Sequence, residues 1–238
     1  MRMASSHKEA IRCSMRVPLL LPLLRRSPPY STRHLAMSRW DERYATEEYA
    51  YGTEPNEFLR ENVALWKLPP DAKCLLVADG EGRNGVFLAE QGYSVLSMDA
   101  SEVGLKKAKT LAAQRHVSIE TVLADLTDFP FGSSQWDCIV GIFCHVPPVA
   151  RTRMLEQIPD ALVPNGVFAL ECYTPEQIGK GTGGPPTPDM MYSSAMLEEA
   201  FRGKLVVERN QELDRDVVEG VYHTGPASVV QFVGRRPS

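Results

Sequence analysis

The run Cys74-Leu75-Leu76-Val77-Ala78 passes directly into Asp79-Gly80-Glu81-Gly82-Arg83-Asn84-Gly85 and then into the helical pattern Val86-Phe87-Leu88-Ala89. Three glycines in G-x-G-x-x-G spacing between a strand and a helix leave few folds open. The backbone turns sharply there, and the amide-rich start of the helix faces whatever lies above the strand end. A second unit of the same kind follows at once. Gly92 stops the helix, Tyr93 to Met98 form the next strand, and Asp99-Ala100 end it. Ser101 then caps a helix through about Ala113, supported by the Glu102–Lys106 pair.

The alternation continues. Val117 to Leu123 and Cys138 to Phe143 read as strands, and Pro147-Pro148 open a helix whose inner face is Met154, Leu155, Ile158 and Leu162. Pro159 is expected to kink or split that helix. Pro164-Asn165-Gly166 turns the chain into a fifth strand, Val167 to Cys172. A loop rich in Gly and Pro, Gly181 to Pro188, precedes a helix near Ser194–Phe201, and the strands Leu205–Glu208 and Ser228–Val233 follow. The expected fold is α/β and doubly wound: a mostly parallel sheet with helices on both faces and an antiparallel edge.

Residues 1–36 differ in character. Arg2, Lys8, Arg12, Arg16, Arg25, Arg26 and Arg33 stand against the single acid Glu9, among Ser and Thr. That is the composition of a mitochondrial transit peptide; the alternative is that translation starts at Met37. The apolar stretch Val17 to Leu24, broken by Pro18 and Pro22, is too short to span a bilayer. The domain expected to fold is 37–238, in the cytoplasm or, with an address, in mitochondria.

A net charge of −4 disfavours nucleic acid as partner, since a phosphate backbone attracts basic surfaces. Five cysteines without a Cys-x-x-Cys pair favour reduced thiols over a disulfide or zinc framework, and no metal site is expected. Cys74, Cys138 and Cys172 lie in apolar runs and read as core.

The loop indicates a nucleoside ligand. Asp99 ends its strand twenty residues after Asp79, where a carboxylate accepts hydrogen bonds from both ribose hydroxyls. The alternative is that the glycines serve only turns and Asp99 only caps. Asp79 and Glu81 would repel a pyrophosphate but suit S-adenosylmethionine, which carries an ammonium and a sulfonium. Asp125 fits an acceptor from the adenine amino group, with Leu126 on the ring; otherwise Asp125 is a strand-end turn residue.

Asp79-Gly80-Glu81-Gly82-Arg83-Asn84-Gly85, Asp99 and Asp125 resemble the successive cofactor motifs of class I S-adenosylmethionine-dependent methyltransferases. That resemblance implies a Rossmann-like sheet of seven strands with the last one reversed. Tyr51-Gly52-Thr53-Glu54-Pro55, Gly80-Glu81-Gly82-Arg83-Asn84 and Ile142-Phe143-Cys144-His145 are similar to small enzymes related to the TehB tellurite-resistance and thiopurine or thiol methyltransferases, over about residues 38–234. It implies a thiol or chalcogen acceptor, with Phe143 and Ala100 beside the cofactor. The rivals are a methyltransferase for protein or nucleic acid, an NAD-dependent oxidoreductase, and a cofactor-binding protein without turnover.

Methyl transfer is an in-line displacement, so a protein mainly positions the nucleophile and excludes water; a neutral acceptor also benefits from a base. His145, after the fourth strand, is the candidate catalytic residue, or else it packs between strand end and helix start. Cys144 reads as buried. Tyr51, next to Gly52, is the aromatic expected at the sulfonium, whereas Trp40 and Tyr44 equally fit burial on the sheet. Tyr173 to Pro188 reads as a lid. Tyr173, Arg215 and His223 are candidate acceptor contacts, the latter two with Glu219 otherwise being solvated loop residues.

Overall fold

The computed structural model describes residues 39–238. The expectations for residues 1–36 lie outside them. Seven strands form one sheet in the order β3-β2-β1-β4-β5-β7-β6. They are β1 Lys73–Val77, β2 Ser94–Asp99, β3 Glu120–Leu123, β4 Trp136–Ile142, β5 Leu162–Tyr173, β6 Val206–Glu219 and β7 His223–Arg235. The helices are α1 Arg39–Tyr44, α2 Glu57–Asn62, α3 Arg83–Glu90, α4 Glu102–Gln114, α5 Pro148–Ala161 and α6 Ser194–Phe201. The first five strands are parallel; β7 runs antiparallel to β5 and to β6.

Period-2 alternation divides the central strands between two apolar layers. Leu75, Val77, Ile139, Phe168, Leu170 and Phe232 face Met154, Leu155, Ile158 and Phe201. Cys74, Leu76, Val140, Val167 and Ala169 face Leu59, Trp66 and Leu88. Cys74, Cys138, Cys144 and Cys172 are all free and buried.

Two expectations need correction. The helix holding Pro159 neither splits nor stops there, because α5 ends two residues later at Ala161 and little of the ladder depends on the missing N–H. The terminal strands are much longer than the apolar runs announced. β6 and β7 form a hairpin paired from Val206↔Arg235 to Glu219↔His223. β6 is an edge strand, so only alternate residues turn inward, and these include Arg215 and Glu219 rather than apolar groups alone.

The strand order reverses direction between β1 and β4. In open parallel sheets the crevice above that point, at the strands' C-terminal ends, is where ligands dock. Here it receives the glycine loop from β1 and the Phe143–His145 segment from β4.

Candidate active site

The glycine loop holds Ala78, Gly80 and Gly82 in the left-handed region, with φ of 53°, 58° and 86°. Its glycines act inward more than toward a ligand. A Cβ on Gly82 would collide with Ala108 of α4, one on Gly80 with the Tyr44 hydroxyl, and one on Gly85 with the carboxylate of Asp79. The cavity wall is instead formed by Asp79, Glu81, Arg83 and Asn84.

Asp79 accepts hydrogen bonds from Ser97 Oγ at 2.5 Å and from the Gly85 N–H at 3.3 Å. Burial outweighs them and pushes its carboxyl up to about 7. Glu81 is spent inside the protein. Its Oε2 accepts from the Ala50 N–H at 2.8 Å and the Tyr51 N–H at 3.4 Å, and Oε1 pairs with Lys107 Nζ at 2.5 Å. The expected repulsion of a pyrophosphate by two carboxylates is therefore weaker than the sequence implies: one is neutralised by Lys107 and the other titrates near neutrality.

Asp99 accepts from the Gly80 N–H and the Ser101 N–H, each at 2.8 Å, and burial pushes it up to about 6. Ser101 caps α4 through Gly104 N–H and donates to Asp41 of α1 at 2.6 Å, which seats α1 beside the loop. Asp125 accepts from the Thr127 N–H and hydroxyl, both at 2.7 Å. Asp99, Ala100, Asp125 and Leu126 line one end of a cavity of about 830 Å³. Ligand pockets commonly fall in this range.

The other end is walled by rings. Phe143, at φ 49°, packs 4.6 Å from Tyr173 and 4.6 Å from His223, and Tyr51 lies 4.5 Å from His223. Gly181, Gly183, Gly184 and Pro185 of the expected lid complete it. The hairpin tip is pressed onto the segment before α2, with the Val221 N–H donating to Ala50 O at 3.1 Å. Trp40 joins the lining, and Tyr44 covers Gly80.

His145 reaches the cavity with both nitrogens occupied. Nδ1 lies 3.1 Å from Met190 O, and Nε2 accepts from the Tyr173 N–H at 3.2 Å. Burial lowers it to about 4. His223 is lowered further, to about 3, by burial and then by Arg83, and its Nδ1 is buried without a hydrogen-bond partner. The Tyr173 hydroxyl is likewise buried and unpartnered. The Cys144 thiol, pushed up to about 12 by burial, is no nucleophile.

Arg215 is not on the cavity wall. It pairs with Glu171 at 2.6 Å, Glu57 at 3.2 Å and Glu219 at 3.3 Å. Asn56 Nδ2 donates to Glu171 at 2.7 Å and to Glu219 at 2.8 Å, and Arg83 pairs with Glu219. Asn56, Glu171 and Lys107 went unforeseen. The one signal was Glu171, an acid inside the otherwise apolar Val167–Cys172 run. Among the described residues no group of His, Cys, Asp and Glu is arranged for a metal, and no helix is long and apolar enough to cross a membrane.

A methyltransferase domain family matches residues 75–166. An uncharacterized methyltransferase of Synechocystis sp. is 31% identical over 112 residues, which is 46% of this chain and 50% of that protein. YodH of Bacillus subtilis, also an uncharacterized methyltransferase, is 28% identical over 120 residues, 49% of this chain and 51% of its own. The chain thus spans about half the length of the curated relatives it matches. Among solved structures, TehB from Haemophilus influenzae superposes with a TM-score of 0.62 at 15% identity, covering 83% of this chain and 65% of that one. The magnesium protoporphyrin IX methyltransferase ChlM of Synechocystis, with bound SAH, gives 0.56 at 17%, covering 74% and 88%. Residues 75–166 thus match a methyltransferase domain family, and the seven-stranded sheet around them has the fold of the solved methyltransferases it superposes on.

Proposed function

We propose that the protein is an S-adenosylmethionine-dependent methyltransferase acting on a small-molecule acceptor of thiol or chalcogen type. The observation that carries this reading is the cavity itself. Asp99 and Asp125, at the ends of successive strands, occupy one end, and a wall of rings around His223 occupies the other. The acceptor class rests on the likeness to TehB, and the modest cavity favours a small molecule over a macromolecule.

The residues fit the cofactor. Asp99 keeps its carboxylate aimed by two main-chain N–H groups while lining the cavity, which suits it to the ribose hydroxyls. Asp125 and Leu126 take the adenine, and Asp79 faces the ammonium of the methionine part. Tyr51 and Phe143 offer ring faces to the sulfonium. When bound, S-adenosylmethionine supplies an electrophilic methyl group whose transfer to sulfur releases the acceptor's proton and leaves S-adenosylhomocysteine.

The acceptor side needs hydrogen-bonding groups that are neutral and free. His145 is neutral, but its nitrogens hold the Tyr173 and Met190 main chain, which makes it a positioning residue. His223 Nδ1 and the Tyr173 hydroxyl are the free ones, and His223 hydrogen-bonds the acceptor's nucleophilic atom while the released proton passes to solvent.

Calorimetry with S-adenosylmethionine, S-adenosylhomocysteine and NAD tests the cofactor: micromolar binding of the sulfur nucleosides is expected, and binding of NAD alone would sink the reading. Mass spectrometry after incubation with thiols, selenite, tellurite and small amines tests the acceptor. Methylated amines without methylated thiols or chalcogens would overturn that part.

A further inference from the structure

The ring-walled end of the cavity contains a positive charge that no carboxylate among the described residues balances. Arg83, a cation of the wall, is paired with Glu219. Arg43, also in the wall, pairs with no carboxylate among the described residues. It donates to the Tyr51 hydroxyl at 3.2 Å and lies 4.0 Å from the centre of the Tyr222 ring. Arg39, one helical turn earlier, is also without a carboxylate there and stacks 5.3 Å from Trp40.

A guanidinium held flat by a ring and a hydroxyl is fixed in place, yet keeps N–H groups for a planar oxyanion. The two ends of the cavity therefore differ in sign. Asp79, Asp99 and Asp125 stand at one, and Arg43 at the other. Two polar atoms near this end are buried without a hydrogen-bond partner, His223 Nδ1 and Tyr173 Oη, on rings 5.4 Å apart. The first belongs to a ring 4.5 Å from Tyr51, the same tyrosine that holds Arg43.

We infer that the acceptor carries a carboxylate-type oxyanion, which pairs with Arg43 while its nucleophilic end is hydrogen-bonded by His223. This rests on the methyl-transfer reading and narrows the acceptor to small organic anions. An uncharged thiol would leave the guanidinium unanswered.

The test uses the full-length protein saturated with S-adenosylhomocysteine and titrated with 2-mercaptobenzoate or with thiophenol, its uncharged counterpart. Wild type should bind the acid at least tenfold more tightly. Arg43→Gln should erase about that tenfold for the acid and leave thiophenol unchanged, and Arg43→Lys should restore part of it. Melting temperatures of both variants should stay near wild type, since Arg43 is only half-buried on a short helix.

Equal affinity of wild type for the two thiols, or failure to bind the acid, would overturn the inference. So would loss of S-adenosylhomocysteine binding in Arg43→Gln without loss for 5′-methylthioadenosine, which would give Arg43 to the cofactor's own carboxylate. Failure of the wild type to bind S-adenosylhomocysteine would remove the methyl-transfer reading itself. Intact cofactor binding with any of the other results removes this inference alone.

Discussion

Arg83, the first residue of α3, is ion-paired with Glu219, the last residue of β6, so the glycine loop and the hairpin are joined by a buried charge pair. Glu219 also accepts from Asn56 and from Arg215, whose other partners are Glu171 and Glu57. Two arginines thus depend on the same carboxylate.

Removing that carboxylate should be costly. Glu219→Ala leaves Arg83 and part of Arg215 uncompensated away from water, and a loss of about 3 kcal/mol is expected by urea denaturation. Affinity for S-adenosylhomocysteine should fall with it, because Arg83 and Asn84 stand in the cavity wall. A loss below about 1 kcal/mol would mean the network is not closed as described.

Asp79 should make the ligand-free protein less stable at high pH. Its carboxyl is raised to about 7 by burial, against about 3.9 in an unfolded chain. A raised carboxyl favours folding fully below the unfolded value, and that contribution is lost as pH rises through about 7. Asp79→Asn can keep the acceptance from Gly85 and reverse the Ser97 bond. Its melting temperature should exceed wild type at pH 8, and the two should converge by about pH 4. Affinity for S-adenosylmethionine should nevertheless drop. A variant less stable than wild type at pH 8 would contradict the account.

The two histidines should separate by assay. His145→Ala strands the Tyr173 N–H and the Met190 carbonyl, costing about 1–3 kcal/mol of stability. His223→Ala should leave stability and S-adenosylhomocysteine affinity near wild type while lowering kcat about tenfold or more. Both imidazoles are lowered, to about 4 and about 3, so they stabilise the fold above pH 6.5 and lose that contribution as pH falls through those values. The kcat profile of wild type should accordingly show no histidine inflection between pH 5 and 8. An inflection there that disappears in His223→Ala would refute the neutral assignment.

Cys74, Cys138, Cys144 and Cys172 are buried and their reactivity should be suppressed. Ellman's reagent should modify these four only after denaturant is added, as followed by peptide mapping. Fast labelling of Cys144 in native protein would reopen a covalent role for it.

The alternation of strands and helices was legible because apolar runs, glycines and a capping serine mark it locally. Ser101 and Gly92 set boundaries within a residue of those observed. The hairpin escaped because inward-facing Arg215 and Glu219 carry no apolar signal: their partners, Glu171 and Arg83, lie far off in sequence. Glu81 shows the same limit. Its place in the glycine loop pointed to a ligand; that Lys107 and the Ala50 main chain, brought in by α4 and the segment before α2, also hold it was not readable locally. The ring-walled end of the cavity draws on four separated stretches, around residues 43–51, 143–145, 181–185 and 222–223, so only single candidates such as Tyr51, His145 and His223 were visible beforehand.

The insertion of β7 between β5 and β6 has a consequence for synthesis on the ribosome. β6 emerges first but has no neighbour to join, since β5 pairs with β7 and not with it. Until roughly the last of β7 leaves the exit tunnel, β5 shows an open rim to solvent and Glu171 lacks Arg215. The nascent protein is then without His223 and the ring-walled end of its cavity, however early the glycine loop has formed. Chaperone protection of that rim is needed most in this interval, and stalling there exposes the strand most prone to stray pairing.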